Sequence, residues 1–554
     1  MLSNMRPKTY VIRFFHWLLL LLVTGVVACS KEAPLPEQQE EEDPYVERPN
    51  GARLFSGYNR LLITWKQTNP LITGALVYWN NRSDSLLYTI PAGTDSVKIL
   101  LNNLEEGEYQ LELYTLDKDR HRSGKVMLSG YVYGDQYAST LTPRRLSDII
   151  YTKDERLRLI WAPKSEGSAI GAEVAYQDRE GKTRQIRLVT GNESESEIPD
   201  IHSGLRGSIR YRTIYAPGEK VIDTLFSDYL SQSYVNRYAV YDSLPGWAFR
   251  CKVMVEEQTI ADHGGMIPFK EKMDEAIARA SKKFQVAGLN DEGNNQIHFY
   301  ATEILSFSGR SSQFTTKQWV NDASLDLMLV VNDHAADDDD SWGWRRAPYL
   351  TLGHDYQGIF GSNAVDALLH EFGHTRGMYD LYLGEVTAAR NPVSHQAYES
   401  DRCIMNYPYG ETVWSEFAQI IINASGDERV ARHYWDFFPD AFWVKVKRKD
   451  QTPAVGAKLR FFPVIQTSSG NVVRENDVIQ YRTTLDDEGS YLFDPPNPFA
   501  IDQIPNRNIY NFLVEVSYSV AGSHYTDYAW MPMNDALTAG SRGIPYELKI
   551  ILSN

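Results

Sequence analysis

The residues best suited to catalytic chemistry lie in one short segment, HEFGH at residues 370–374. His370 and His374 are four positions apart, so on a helix both imidazoles lie on one face, one turn apart. Two neutral imidazoles placed in this way can bind one zinc ion. Glu371 follows the first histidine, and its carboxylate can reach a metal-bound water as a general base. The spacing therefore predicts a zinc site on a helix, with a base beside the metal.

Two further residues extend this pattern beyond the second histidine. Gly377 lies three residues after His374, and a glycine there can take positive φ and turn the chain sharply. That turn would bring Asp380 back under the helix end as a third ligand, and a catalytic zinc ion needs three protein ligands and one open position. Two alternatives stay open: Glu385 as the third ligand, and Asp380 as a residue that only caps the turn.

The extended pattern, HExxHxxGxxD, resembles the metzincin zinc peptidases in the variant with aspartate as third ligand. The run DLY at residues 380–382 also resembles the immune-inhibitor-A-like peptidases. Cys403 to Pro408 resembles the metzincin Met-turn, in which Met405 would support the floor of the metal site. Tyr407 holds the position at which some branches use a tyrosine to bind the metal or the oxyanion. The resemblance spans about residues 245–435.

This resemblance implies peptide-bond hydrolysis of polypeptide or glycoprotein substrates, with one zinc ion held by His370, His374 and Asp380. Glu371 would take a proton from the attacking water, and Tyr407 would help to stabilise the oxyanion. The opposite interpretation is a helix with two hydrogen-bonded core histidines and no metal. A rival function of another class is surface adhesion or glycan binding, with the metal fold kept as a scaffold.

Periodic patterns predict the elements that must position the motif. Apolar residues at helical spacing indicate a helix over Phe269–Phe284, between alternating runs that indicate strands. The motif helix is expected to begin near Ser362 or Asn363, which are good N-caps. This order is typical of a metzincin N-terminal subdomain. The predicted strands are Phe249–Val255, Gln296–Ile304, Leu325–Val331 and Tyr349–Leu352.

The predicted fold class is multidomain: two N-terminal β-sandwich modules over residues 51–140 and 141–238, an α+β metzincin-like zinc peptidase domain over 239–438, and a C-terminal β-sandwich over 439–554. The first two modules repeat one strand order, with tryptophans at Trp65 and Trp161, and resemble fibronectin-III modules. The first also resembles a domain of unknown function in Bacteroidetes lipoproteins. The last resembles prealbumin-like or Ig-like domains and is expected to be a packing or spacer module.

The N-terminus has the pattern of an export signal. A positive start is followed by an apolar run, Phe14–Ala28, which is shorter than the ~20 residues of a membrane span. The run ends before Cys29 in a pattern that resembles a bacterial lipobox, so residues 1–29 would be a lipoprotein signal peptide; a plain signal anchor is the alternative. Residues 30–50 read as a flexible tether. We expect an exported lipoprotein, anchored to the outer membrane through Cys29 and exposed at the cell surface.

Composition limits the remaining functions. The chain has 554 residues and a formal net charge of -16, which argues against nucleic-acid binding because such a surface repels phosphates. Cys251 and Cys403 can pair in an exported protein or remain as buried free thiols. The acidic run Asp337–Asp340 after His334 offers oxygen ligands for calcium, although a solvated acidic loop has the same composition.

Overall fold

The computed structural model describes residues 46–163, 169–189, 193–310, 313–314, 322–333, 342–344, 347–353, 358–361, 363–406, 414–475, 482–493, 497–500 and 511–554. Cys29, Tyr407 and the acidic run at 337–340 lie outside these residues. The described residues divide into two compact units, one that ends at Gly134 and one that begins at Asp135. In the described part of the chain, no helix has both the length and the apolarity needed to cross a membrane.

The first unit is a two-sheet β-sandwich whose sheets follow the orders β1-β2-β5 and β4-β3-β6-β7. Alternating residues of both sheets enter one core, which includes Trp65 at 3% exposure. Trp65 therefore packs between the two sheets. The strands are β1 Arg53–Ser56, β2 Arg60–Lys66, β3 Ile72–Trp79, β4 Asp84–Thr89, β5 Ser96–Asn102, β6 Gly107–Asp117 and β7 Val126–Val132.

The second unit begins with helix α1 (Asp135–Thr140) and a sandwich that repeats this strand order. Its sheets are β8-β9-β12 and β11-β10-β13-β14, with β15 also paired to β13, and Trp161 lies in its core at 3% exposure. The internal repeat seen in the sequence is therefore a repeat of topology. The strands are β8 Leu146–Tyr151, β9 Leu157–Trp161, β10 Ala169–Gln177, β11 Thr183–Val189, β12 Glu195–Ile198, β13 Arg206–Tyr215, β14 Leu225–Phe226 and β15 Leu230–Val235.

The α/β region that follows contains the motif helix. Its sheet has the order β17-β16-β18-β20-β19, in which β19 alone of the described strands pairs antiparallel. Such parallel strands need crossover connections, and α4 supplies one between β16 and β17. The elements are α2 Arg237–Asp242, β16 Trp247–Glu256, α3 Glu257–Asp262, α4 Met266–Lys282, β17 Ile297–Phe307, β18 Leu327–Val331, β19 Trp342–Trp344, β20 Ala347–Leu352, α5 Ala364–Thr375 and α6 Glu416–Ser425.

The C-terminal strand region, residues 442–551, is again mostly β-sheet. Its sheets follow the orders β25-β21-β28 and β23-β22-β26-β27, with β24 paired to β22. The short helix α7 and the pairing of β24 are features that strand patterns did not predict. The elements are β21 Phe442–Lys447, β22 Lys458–Thr467, β23 Gly470–Val473, β24 Arg482–Thr484, β25 Ser490–Leu492, β26 Phe512–Val520, β27 Ser523–Met531, α7 Met533–Ser541 and β28 Tyr546–Ile551.

One apolar core runs through the α/β region and the C-terminal strand region. Buried side chains from α4, α5, α6, β21, β22 and α7 belong to the same cluster. One direct contact joins Phe438, the last residue of the predicted domain 239–438, to Phe499, with the rings stacked and their centroids 5.3 Å apart. The C-terminal strands therefore share their hydrophobic stabilisation with the region that carries the motif.

Candidate metal centre

The motif helix α5 is buried along its whole length, yet it carries titratable side chains. All 12 of its residues are buried. Phe372 stacks on Phe299 of β17, with the rings 4.0 Å apart and nearly parallel, which fixes the helix against the sheet. Burial of an ionisable group is costly without a partner. Asp366 meets this need through an ion pair with Lys283, and the remaining ionisable groups converge on one point near the helix end.

Backbone carbonyl groups orient the two motif histidines. His370 Nδ1 lies 2.9 Å from the carbonyl oxygen of Ile404, and His374 Nδ1 lies 3.0 Å from that of Met378. A carbonyl oxygen only accepts hydrogen bonds, so Nδ1 donates in each ring and the neutral imidazole carries its lone pair on Nε2. Metal-ligating histidines are typically held in this way.

Asp380 lies where the two Nε2 atoms converge. Its Oδ1 is 2.9 Å from His370 Nε2 and 3.3 Å from His374 Nε2. Burial by itself raises the pKa of the Asp380 carboxyl; when both histidine rings are protonated, their hydrogen bonds and charges outweigh burial and hold this pKa well below its usual range. The Asp380 side chain is 22% exposed, so the centre meets solvent on this side.

This donor set fits a divalent metal ion. Two Nε2 lone pairs that face one carboxylate oxygen repel it unless a cation lies among them or both rings are protonated. Two imidazolium rings with centroids 4.9 Å apart would themselves repel each other in this buried setting. With metal–ligand bonds of roughly 2.0–2.1 Å, the edges of a tetrahedral zinc site measure about 3.3–3.4 Å, close to the two distances found here. His370, His374 and Asp380 are the residues able to hold such an ion.

Glu371 faces the same space from beside the ligand atoms. Its Oε2 lies 3.9 Å from His374 Nε2, and the residue is 5% exposed. One ligand atom from each of His370, Glu371 and His374 lies within 4.8 Å of the others. The Glu371 carboxylate would therefore be within reach of a water held by such an ion and could exchange a proton with it.

Gly377 ends the helix with the sharp turn that its position suggested. Its φ is +93°, its N–H donates to the carbonyl oxygen of His374 at 3.0 Å, and Met378 N–H donates back to Gly373 at 3.2 Å. A Cβ at this position would lie 3.1 Å from the carbonyl oxygen of Arg432. Backbone conformation and space both favour glycine, and the reversed chain brings Asp380 to the histidines.

A tight turn around Met405 supports the centre from below. Asn406 N–H donates to the carbonyl oxygen of Cys403 at 2.9 Å and closes the turn, and Met405 is fully buried. Its carbonyl oxygen accepts from Leu381 N–H at 2.8 Å, next to Asp380 in the chain. A Cβ at Gly373 would lie 2.5 Å from Met405 Sδ. Gly373 thus lets the methionine approach the helix. This role was not predicted from the sequence, although Gly373 is part of the HEFGH motif.

Glu385, the alternative third ligand, is directed toward the Met405 turn. Its Oε1 accepts from Asn406 Nδ2 at 2.9 Å and from Ser400 N–H at 3.3 Å. The structure therefore brings Asp380 to both histidines and gives Glu385 other partners.

Arg376 is a further residue that the sequence analysis did not single out. It is 1% exposed, its guanidinium donates to the carbonyl oxygens of Glu428 and Arg429 at 2.8 and 3.3 Å, and it lies 3.9 Å from the ring centroid of Phe249. Burial lowers the pKa of Arg376 to about 10. These contacts fix the helix end directly after His374.

Cys251 and Cys403 are both buried free thiols, which decides between the alternatives left open by the sequence. Burial raises the pKa of each thiol, so both are poor nucleophiles. Cys403 thus contributes to the turn below the centre by packing.

Comparisons with known proteins match part of the chain. Residues 38–225 match the model of a domain of unknown function, DUF4998. No curated protein matches the chain by sequence. Among solved structures, the chicken CNTN1 FN1-FN3 domains are similar at 12% identity and a TM-score of 0.25, over 35% of this chain and 66%, just under two thirds, of that one. A segment of two fibronectin type-III domains from chicken tenascin is similar at 14% identity and a TM-score of 0.15, over 34% of this chain and 99% of that one.

Proposed function

We propose that this chain is a zinc-dependent endopeptidase of the metzincin type that hydrolyses peptide bonds of extracellular proteins. One observation carries the proposal: two carbonyl-oriented histidines and Asp380 direct their ligand atoms to one point, with Glu371 beside them. A buried helix has no packing reason to carry this combination, and strongly perturbed ionisable groups are typical of functional sites.

A bound zinc ion would supply Lewis-acid polarisation of the scissile carbonyl and would lower the pKa of its water to about 7. The other roles belong to the chain. Glu371 would accept a proton on its carboxylate and return it to the leaving amine. The carbonyl groups of Ile404 and Met378 keep both Nε2 atoms available as ligands. Tyr407 as an oxyanion donor stays a prediction.

The order of elements also supports the proposal. Helix α4, strands β17, β18 and β20, and then the motif helix α5 follow one another as expected for a metzincin N-terminal subdomain. The Met405 turn after the third ligand adds a second feature of that family.

The test is to measure zinc content and proteolysis on the same preparation of the full chain. We expect about one zinc ion per chain and cleavage of casein that stops when a chelator removes the metal and returns when zinc is added. A zinc-loaded protein that cleaves neither casein nor a mixed peptide library would contradict the proposal. That result would favour the adhesion or glycan-binding alternative.

We further propose that the protein is a surface lipoprotein anchored through Cys29. The support is the short apolar run that ends directly before this cysteine. Cys29→Ser should leave the chain unprocessed or free of the membrane fraction. A mature N-terminus that starts elsewhere, for example near Asp43, would contradict the anchor without affecting the peptidase proposal.

A further inference from the structure

The segment that carries Asp380, residues 379–386, is here called the ligand loop. The 3-10 turn within it, Leu381–Gly384, is too short for all of its carbonyl groups to be satisfied by hydrogen bonds inside the turn. Carbonyl groups that are shielded from water need hydrogen-bond donors elsewhere in the fold. The carbonyl oxygen of Leu381 accepts from Ser400 Oγ at 2.7 Å, and that of Val386 accepts from Tyr398 N–H at 2.8 Å. The carbonyl groups of residues 383–385 find their donors in the C-terminal strand region, which lies more than eighty residues further along the chain.

Two asparagines of that region bind three consecutive carbonyl oxygens of the ligand loop. Asn471 Nδ2, on β23, donates to Leu383 at 2.5 Å and to Glu385 at 2.8 Å. Asn511 Nδ2 donates to the carbonyl oxygen between them, that of Gly384, at 3.1 Å. Asn471 and Asn511 are 7% and 3% exposed. A buried amide that donates to a carbonyl oxygen is costly to remove, because that carbonyl group then loses the hydrogen bond that replaces its bond to water.

A third asparagine binds the other end of the loop. Asn534 Oδ1, on α7, accepts the hydroxyl hydrogen bond of Tyr379, the residue directly before Asp380. Tyr379 is 2% exposed, and its ring packs against Phe417 and Tyr434. The position of the ring is therefore set by packing, and its hydroxyl links the loop to the C-terminal strand region.

An apolar cluster reinforces these bonds. Val386, the last residue of the ligand loop, packs with four buried side chains of β22, β23 and β26. These side chains are Phe462, Val464, Val473 and Leu513. The loop is thus bound on its polar and its apolar side by the same region.

We propose that the C-terminal strand region is part of the metal centre, with Asn471, Asn511 and Asn534 as positioning residues that hold Asp380 within reach of His370 and His374. The inference rests on the proposed function, in that Asp380 is taken as the third metal ligand. It replaces the expectation that residues 439–554 serve only as a packing or spacer module. These residues act on the metal through the backbone of the ligand loop and do not touch it.

The experiment compares the full chain with Asn471→Ala, Tyr379→Phe and a control, Asn236→Ala. Asn236 is also buried, at 5% exposure, and its Nδ2 also donates to a carbonyl oxygen, that of Ser203 at 3.0 Å, but it lies at the start of α2, outside the loop and its partners. Zinc affinity is measured by competition with a chromophoric chelator. The visible spectrum of the Co²⁺-loaded protein reports the ligand geometry, and the unfolding temperature in EDTA reports stability without metal.

We expect Asn471→Ala to lower zinc affinity about tenfold, at the low end of the range for partners outside the ligand set, and to change the Co²⁺ spectrum. Tyr379→Phe should act in the same direction with a smaller effect, and it decides the question if Asn471→Ala does not fold. Asn236→Ala should lower the unfolding temperature and leave zinc affinity and the Co²⁺ spectrum unchanged.

The inference would be overturned if Asn471→Ala and Tyr379→Phe both keep the wild-type zinc affinity and an unchanged Co²⁺ spectrum. This holds even if casein cleavage by the wild type upholds the proposed function. The proposed function can also fail while the inference holds. A wild-type chain that binds zinc but cleaves no peptide would remove the proposed function. The inference would still be supported if Asn471→Ala lowers zinc affinity and Asn236→Ala does not.

Discussion

Two places in the described structure bring together three histidine or carboxylate side chains that could hold a metal ion, and they differ in how those groups are used. One is the centre at His370, Glu371 and His374, and the other is the exposed turn at Asp117, Asp119 and His121. In the turn, Asp117 Oδ1 accepts from the backbone N–H groups of Asp119 and His121, each at 2.9 Å, while Oδ2 meets the His121 ring at 2.9 Å. The carboxylate therefore stabilises the turn itself.

In the centre, the backbone binds the ring nitrogen atoms that face away from the point of convergence. Carbonyl groups bind Nδ1 of His370 and His374, and the two Nε2 atoms and the Asp380 carboxylate are left facing one another. In the turn, hydrogen bonds from His121 hold the pKa of Asp117 below its usual range. One histidine ring meets this carboxylate, whereas two rings meet the Asp380 carboxylate in the centre. Residue type alone does not decide whether a cluster can hold a metal ion; the decisive factor is which atoms the backbone contacts direct toward one another.

The largest effect that tests this contrast is expected for Glu371→Gln. The amide cannot accept a proton, so hydrolysis should fall on the order of 10²–10⁴-fold, while zinc stays bound because the ligands are intact. Zinc by elemental analysis and peptide hydrolysis are measured side by side. Near-normal hydrolysis in this variant would exclude Glu371 as the base.

The next largest effect is expected for Asp380→Ala. Loss of a ligand should lower zinc affinity by more than the roughly 10–100-fold typical of residues outside the ligand set, and hydrolysis should be lost with it. Glu385→Ala is the matched control, since Glu385 binds Asn406 and Ser400 instead, and its zinc affinity should stay at the wild-type value. Equal effects in the two variants would remove Asp380 as the third ligand.

A smaller effect is expected for Gly377→Ala. A side chain at φ +93° costs about 1–2 kcal/mol of folding free energy, and the contact with Arg432 adds to this cost. Gly93→Ala provides the control, because Gly93 has φ +77° and no atom within 4 Å of an added Cβ. Both variants should unfold at lower temperature, but zinc affinity should fall in Gly377→Ala alone. Unchanged zinc affinity there would show that the turn is not needed to position Asp380.

The smallest effect is expected at the exposed turn. Asp117→Ala should slightly lower the unfolding temperature, because the backbone N–H groups of the turn lose their acceptor, and it should leave zinc stoichiometry and affinity unchanged. Zinc titration of the variant and of the wild type is the measurement. A lower zinc stoichiometry in the variant would mean that the turn itself binds metal and does not differ from the centre in this respect.

Local sequence signals were sufficient for the elements themselves. The alternating runs around Trp65 and Trp161 became strands β2 and β9, and the helical period over Phe269–Phe284 became α4, Met266–Lys282. Asn363 directly precedes the motif helix, as suggested, but its side chain makes no capping hydrogen bond. The positions of these elements depend on side-chain period, which neighbouring residues decide.

The sequence by itself also placed two histidines on one helical face and predicted the turn at Gly377, because helix geometry and glycine conformation act within a few residues. Only the tertiary structure could decide which carboxylate meets the histidines, and which groups hold it there. Asp380 and Glu385 are five residues apart and chemically alike, and their different directions follow from the Met405 turn and the asparagines of the C-terminal strand region. Those partners are remote in the chain and carry no periodic signal, since a buried amide that binds a distant carbonyl is specified by the packed fold alone.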